Sequence, residues 1–221
     1  MGLDMFLQKA KRIGNARIEE LRNLDHYFSY LERPEKYKDS TMEEWCGVSI
    51  FEVNRSLIEH YRSEYIHRFG SWDTEKKYGW KTIIETVADW RKANHIHKWF
   101  VDNVQDGVDD CEIYEVTKEQ LEELLDVCRK VINNSKLVKG KVINGQTIKN
   151  REWANCYEDG EYVEDSSVAE ELLPTTSGFF FGSTQYDQWY IKDIKYTIKV
   201  IEDVLNTTDF ENEIIMYNSS W

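Results

Sequence analysis

The sequence predicts an α+β fold: a small, mainly antiparallel sheet that includes the N- and C-terminal strands, packed with several amphipathic helices. Three observations predict it. Short β-prone runs stand at both ends of the chain, at Leu3-Asp4-Met5-Phe6-Leu7 and Ile214-Ile215-Met216-Tyr217. Between them, apolar residues recur at three- and four-residue steps over long stretches, as helices with one buried face require. Only Pro34 and Pro174 interrupt 221 residues, so long helices are permitted. A single domain spanning 1–221 is expected.

Taken in order, Leu3, Met5 and Leu7 alternate at period two and read as a half-buried strand. From Asn15, the residues Ile18, Leu21, Leu24, Phe28 and Leu31 mark an amphipathic helix. It must end before Pro34, because the residue preceding a proline avoids helical geometry. A weaker helical pattern covers about Val53 to Ile66. Lys81–Val87 is dense in β-branched residues and reads as a strand or a helix entry. From Ala88 a helix is expected, with Ala93, Ile96, Phe100 and Val104 on one stripe, stopped by the turn Gln105-Asp106-Gly107.

Ile113–Val116 is short and β-prone, and Thr117-Lys118-Glu119-Gln120 then has the form of a capping box. The helix it opens should bury Leu121, Leu124, Leu125, Cys128, Val131 and Ile132. Asn144-Gly145 between β-prone runs signals a hairpin turn. Residues 157–171 then carry seven carboxylates (Glu158, Asp159, Glu161, Glu164, Asp165, Glu170, Glu171) and no lysine or arginine. Residues 136–165 are expected to form an inserted hairpin and acidic loop. A last helix from about Thr184 to Leu205 should bury Tyr190, Ile194, Ile198, Ile201 and Leu205. The strand Ile214–Tyr217 is expected to pair with the first one.

Composition narrows the function classes. Forty-one acidic against 28 basic side chains give a formal charge of −13 at pH 7, which disfavours direct binding to DNA or RNA. A hydrophobic share of 41% is too high for a disordered chain. No apolar run approaches the ~18 residues of a membrane helix, and no signal-peptide pattern opens the chain, so a cytoplasmic protein is expected. Cys46, Cys111, Cys128 and Cys156 lack any paired spacing, consistent with reduced thiols. His95 and His97 would point roughly 200° apart on a helix and cannot share a metal ion there. His60 and His67 stand two turns apart without a metalloprotease glutamate. No nucleophile elbow or dinucleotide glycine motif occurs. Neither a catalytic group, a metal site nor a cofactor is therefore selected, and an enzyme is the less favoured class.

Two segments can carry recognition. In the first, Trp90, Asn94 and His97 follow at four- and three-residue spacing, with Arg91, Lys92, His95 and Lys98 beside them. A flat ring next to an amide, an imidazole and a guanidinium suits a nucleobase and its phosphates. In the second, Phe180, Gly182, Ser183, Thr184 and Tyr186 precede the last helix, where unpaired amides and partial positive charge favour an anion. Thr184, with Asp187 three residues later, is the capping candidate there. The ordinary alternatives are Trp90 as a core anchor, solvated lysines, and a capped helix after a buried aromatic strand.

Four stretches together resemble a family of phage and prophage proteins. These are Met1-Gly2-Leu3-Asp4-Met5; Trp90–Asn94 with Ile96–Val101; Leu173-Pro174-Thr175 through Gly178 to Thr184 with Tyr186-Asp187; and Ser219-Ser220-Trp221. The likeness covers most of the chain except 136–165, and the family has no common activity to carry over. It implies an accessory protein of an infected or lysogenic bacterial host, a class that often counters host defence by sequestering a nucleotide signal or mimicking DNA. The leading expectation is a binding protein for a small anionic nucleotide-like ligand, such as a host immune second messenger. Trp90, Arg91, Asn94, His97, Phe180, Gly182, Ser183, Thr184 and Tyr186 would be its ligand residues, with no membrane contact and self-association left open. The rivals are an acidic nucleic-acid mimic that blocks a host DNA-binding factor and a nucleotide-processing enzyme.

Overall fold

Residues 2–32, 55–59, 83–149, 151–178 and 180–221 are described by a computed structural model, and the period-two pattern at the start of the chain is at work in it. Leu3, Met5 and Leu7 are completely buried, and they belong to or abut strand β1 (Asp4–Lys11). The elements that follow are α1 (Ile18–Glu32), β2 (Ile84–Arg91), α2 (Asn94–Asn103), β3 (Tyr114–Val116) and α3 (Lys118–Asn134). Then come β4 (Leu137–Lys149), β5 (Glu152–Val163), α4 (Ser167–Leu172), α5 (Gln188–Thr207) and β6 (Glu213–Ser220). A four-stranded antiparallel sheet has the order β2-β1-β6-β3, and β4 pairs with β5 in a second, two-stranded sheet. The fold is α+β, with the N- and C-terminal strands side by side. Among the described residues no helix is long and apolar enough to cross a membrane.

The chain divides into two compact units, 1–7 with 87–208 and 217–221, and 8–86 with 209–216. In the second unit α1 buries Leu21 and Leu24, as its periodicity requires, while the Phe28 and Leu31 side chains lie outside the described residues. The Arg12 amide donates to the Asn212 carbonyl at 2.8 Å, and Lys9 pairs with Glu213 at 3.9 Å. Residues 55–59 are helical; the remainder of the weak helix expected over 53–66 lies outside the described residues.

The first unit is organised around α2, which buries Asn94, His95, Ile96, His97, Trp99 and Phe100, almost its whole circumference. Phe100 stacks on Tyr217 with ring centroids 3.9 Å apart and planes within 9°. Helix α3 opens with the capping box that its sequence specifies. The Gln120 amide donates to the Thr117 hydroxyl at 3.2 Å, and the Thr117 amide donates to the Gln120 side chain at 2.9 Å. Leu121, Leu124, Leu125, Cys128 and Val131 are buried, while Ile132 is only partly so. Burial pushes the Cys128 thiol up to about 12, so it is inert packing.

Four element boundaries differ from the sequence reading. The helix expected from Ala88 starts at Asn94; residues 84–91 are strand β2, with Ala88 and Trp90 buried alternately. Lys92, at φ +62°, ends the strand and turns the chain. Asn144-Gly145 is not a hairpin turn. Strand β4 runs through it with a register shift between Ile143 and Gln146, and Gly145 takes φ +92° there. The acidic segment is not a loop: residues 157–163 pair along β5, and 167–172 form α4. Asp159 pairs with Lys141 at 2.7 Å and Glu164 with Lys136 at 2.8 Å, so part of its charge is neutralised locally. The last helix begins at Gln188 rather than Thr184, and its buried face is Tyr190, Ile191, Ile194, Thr197, Ile201 and Val204. Ile198 and Leu205 are only partly buried.

Candidate ligand cleft

The two segments singled out in the sequence meet, and Asn94 joins them. Its amide nitrogen donates to the carbonyls of Phe181 at 3.0 Å and Ser183 at 2.8 Å, and its side-chain oxygen accepts the Thr176 amide at 3.0 Å. A buried asparagine has four hydrogen-bonding positions, and here three of them fasten one irregular stretch of chain to the first turn of α2. The stretch is held elsewhere too. The Leu3 amide donates to the Phe180 carbonyl at 3.3 Å, and Thr175 donates through its hydroxyl to the Thr184 carbonyl at 3.0 Å. Gly182, at φ +91°, lies so close to Lys92 that an added Cβ would stand 2.9 Å from the Lys92 Cβ.

Most of the residues expected to hold a ligand are engaged in this framework. Trp90 is buried, packs against Phe100 and Tyr196, and donates its indole N–H to the Thr197 hydroxyl at 2.9 Å. Arg91 is exposed and pairs with Asp4 at 3.2 Å. Ser183 accepts the Gln185 amide at 3.1 Å; the Tyr186 hydroxyl accepts the Thr175 amide at 3.3 Å. Gly182, Ser183 and Thr184 precede the helix start by several residues. The amides at that start are occupied: Asp187 accepts from Trp189 at 2.8 Å and Tyr190 at 3.2 Å. An anion expected at this helix terminus therefore meets a resident carboxylate instead. Burial raises the pKa of Asp187, although both amide hydrogen bonds act against that shift.

What opens instead is a cleft of about 380 Å³ beside α2. Its lining combines His97, Lys98, Val101 and Asp102 from one helix face with Asp109, the stretch Thr176-Ser177-Gly178, Phe180, Phe181 and Trp221. His97 and Val101, like Lys98 and Asp102, are four residues apart and so share a face. Phe181 presents its ring edge-on to His97 and to Trp221, at centroid distances of 5.3 and 6.0 Å. Of the residues that the sequence nominates as ligand contacts, His97 and Phe180 are the two that line this cleft.

A polar chain runs from the core out to the cleft. Tyr217 Oη lies 2.8 Å from His97 Nδ1, His97 Nε2 lies 3.0 Å from Asp109 Oδ2, and the Trp221 indole N–H donates to Asp109 Oδ1 at 3.0 Å. With Nε2–H as donor to the carboxylate, the Tyr217 hydroxyl can donate to Nδ1, an arrangement that satisfies both ring contacts. Burial, with the Asp109 charge behind it, raises the Tyr217 pKa far above the ordinary phenol range and keeps the hydroxyl a donor. His97 is 1% exposed and Asp109 28%, so of this pair the carboxylate is the group open to the cleft. Lys98 is tied to Asp102 at 2.6 Å. The neighbouring His95 is different: burial pushes its imidazole down to about 3, and its ring packs on Tyr190 at 4.3 Å. It is a neutral packing residue.

Sequence reasoning missed Asp109, Phe181, Tyr217 and Trp221. None belongs to a spacing pattern that identifies a site, since they come from a loop, an irregular stretch and the end of β6. Among the described residues no group of three or more His, Cys, Asp or Glu side chains could hold a metal ion. Compared with protein-family models, curated proteins and solved structures, the chain matches none, so its site is read from its own geometry.

Proposed function

We propose that the protein captures a small molecule bearing a planar, nucleobase-like ring, and that the cleft beside α2 receives that ring. The carrying observation is the lining: Phe180, Phe181 and Trp221 beside the polar residues Asp109, His97, Thr176 and Ser177. Few directed polar groups among aromatic walls are the ordinary make-up of a small-molecule site, and the volume lies within the ~300–1,000 Å³ such sites span. Asp102 and Asp109 outnumber the single lining lysine, and that lysine is already paired. A polyphosphate inside the cleft would meet net negative charge, so any phosphate on the ligand stays outside it. This narrows the expected anionic nucleotide-like ligand to one recognised through its base. For a chain that resembles phage and prophage proteins, capture of a host signalling molecule remains the fitting role.

Calorimetric titration of the purified chain with guanosine, adenosine and cytidine tests the reading, with GMP and ADP-ribose as phosphate-bearing arms. Nucleosides should bind with a change in tryptophan fluorescence, and added phosphates should not tighten binding. Chromatography of the recovered ligand separates capture from conversion. The absence of binding by all five compounds at high micromolar concentration would sink the proposal.

A further inference from the structure

Asp109 is held in an unusual state for a carboxylate at the edge of a cleft. One oxygen accepts from the buried His97, which Tyr217 braces in turn, so the carboxylate is fixed in place rather than free to rotate. The other oxygen accepts the indole N–H of Trp221 at 3.0 Å. That indole is a planar ring with a polarised N–H on its rim. It is 50% exposed and meets the Phe181 ring at a steep angle, with centroids 6.0 Å apart. In chemical terms the cleft already contains a flat heterocycle donating to Asp109, supplied by the chain itself.

We propose that Asp109 is the specificity-determining residue of the cleft, that it selects planar groups carrying two adjacent N–H donors, one for Oδ1 and one for the second lone pair of Oδ2 beside His97, and that Trp221 occupies Oδ1 until such a group displaces it. The inference rests on the reading of the cleft as a site for a planar ring and goes further by naming the edge of that ring. A carboxylate accepts and cannot donate, so a ring edge with two parallel donors matches it and an edge with an acceptor meets repulsion. Two chemical sources carry such an edge: the amidine face of guanine, and a guanidinium such as that of an arginine side chain. Lys98 does not compete for Asp109, because it is tied to Asp102.

The test is titration of the intact chain and two variants with guanosine, inosine, adenosine and arginine amide, followed by intrinsic fluorescence. The wild-type chain should bind guanosine at least about tenfold more tightly than adenosine, with inosine between them, because inosine keeps one of the two donors. Asp109→Asn replaces an acceptor-only edge with one donor and one acceptor, so the preference should invert toward adenosine. Trp221→Phe keeps the aromatic ring but removes the competing N–H, so it should tighten guanosine binding several-fold. A merely structural Asp109 would lower both affinities together without inversion.

Equal affinities for guanosine and adenosine in the wild-type chain, or no inversion in Asp109→Asn, would overturn the inference while leaving a planar-ligand cleft standing. Asp109-dependent binding of arginine amide without guanosine would support the donor-pair selection and overturn the nucleobase reading. Binding of none of the four would overturn both.

Discussion

Asn94 makes three hydrogen bonds to the stretch 176–183 that borders the cleft. Replacing it by alanine unpairs two carbonyls and one amide of the part-buried stretch it holds. Unpairing a buried backbone group costs ~1–3 kcal/mol and less where water reaches it, so the loss of these three part-buried bonds in Asn94→Ala should lower stability by roughly 2–4 kcal/mol and accelerate hydrogen exchange at Thr176. An unchanged melting temperature with normal Thr176 protection would show that other contacts fix the stretch. Gly182 matters for a different reason. At φ +91° and 2.9 Å from the Lys92 Cβ, alanine meets both a backbone penalty and a clash. Gly182→Ala should destabilise by about 1–3 kcal/mol, read by urea denaturation. Lys92 shares the turn with φ +62°, so Lys92→Gly should cost little or be mildly stabilising in the same assay.

The elements show where local rules suffice. Helix α3 opens with the capping box, and it buries nearly the face that its periodicity marked. Thr117→Ala removes the hydroxyl acceptor and should cost about 1 kcal/mol of unfolding free energy, whereas Thr117→Ser should cost less. Helix α5 shows the limit. The sequence places the cap at Thr184 with Asp187 three residues on, but the chain caps with Asp187 itself, because the stretch before it pairs outward instead of coiling. The Val163 amide donates to the Tyr186 carbonyl at 2.9 Å, and Tyr162 bridges to Asp187. The hairpin makes the same point. Asn-Gly favours a two-residue turn, yet the ladder continues from Gln146↔Asn155 to Lys149↔Glu152, because cross-strand pairs on both sides of the bulge outweigh one local preference.

At the scale of the whole molecule, acidity has consequences of its own. Burial raises Asp25 to about 6 and Asp193 to about 7, against the pull of the Ile84 amide and of Lys192 respectively. Both carboxyls therefore bind protons more tightly folded than unfolded. Their contribution to stability is complete below the ordinary carboxylate range and is lost as pH rises through about 6 to 7. His95, held neutral by burial, acts in the opposite sense below the ordinary imidazole range, so the fall in melting temperature should be read between about pH 6.5 and pH 8, and Asp193→Asn should flatten part of that fall. A melting temperature that rises across this window would contradict the assignment. What the sequence by itself determined was the α+β class, the pairing of the terminal strands, the α3 capping box and most buried helix faces. These follow from periodicity and short-range hydrogen bonding, which need only neighbouring residues. That Trp90 lies in a strand was not legible, because Lys92 must take a left-handed turn that no local signal announces. The cleft was decided by tertiary structure alone. Tyr217 reaches His97 and Trp221 reaches Asp109 across more than a hundred residues of chain, Asp109 reaches His97 across a loop without periodicity, and only the packed sheet and helix α2 bring those side chains within hydrogen-bonding distance.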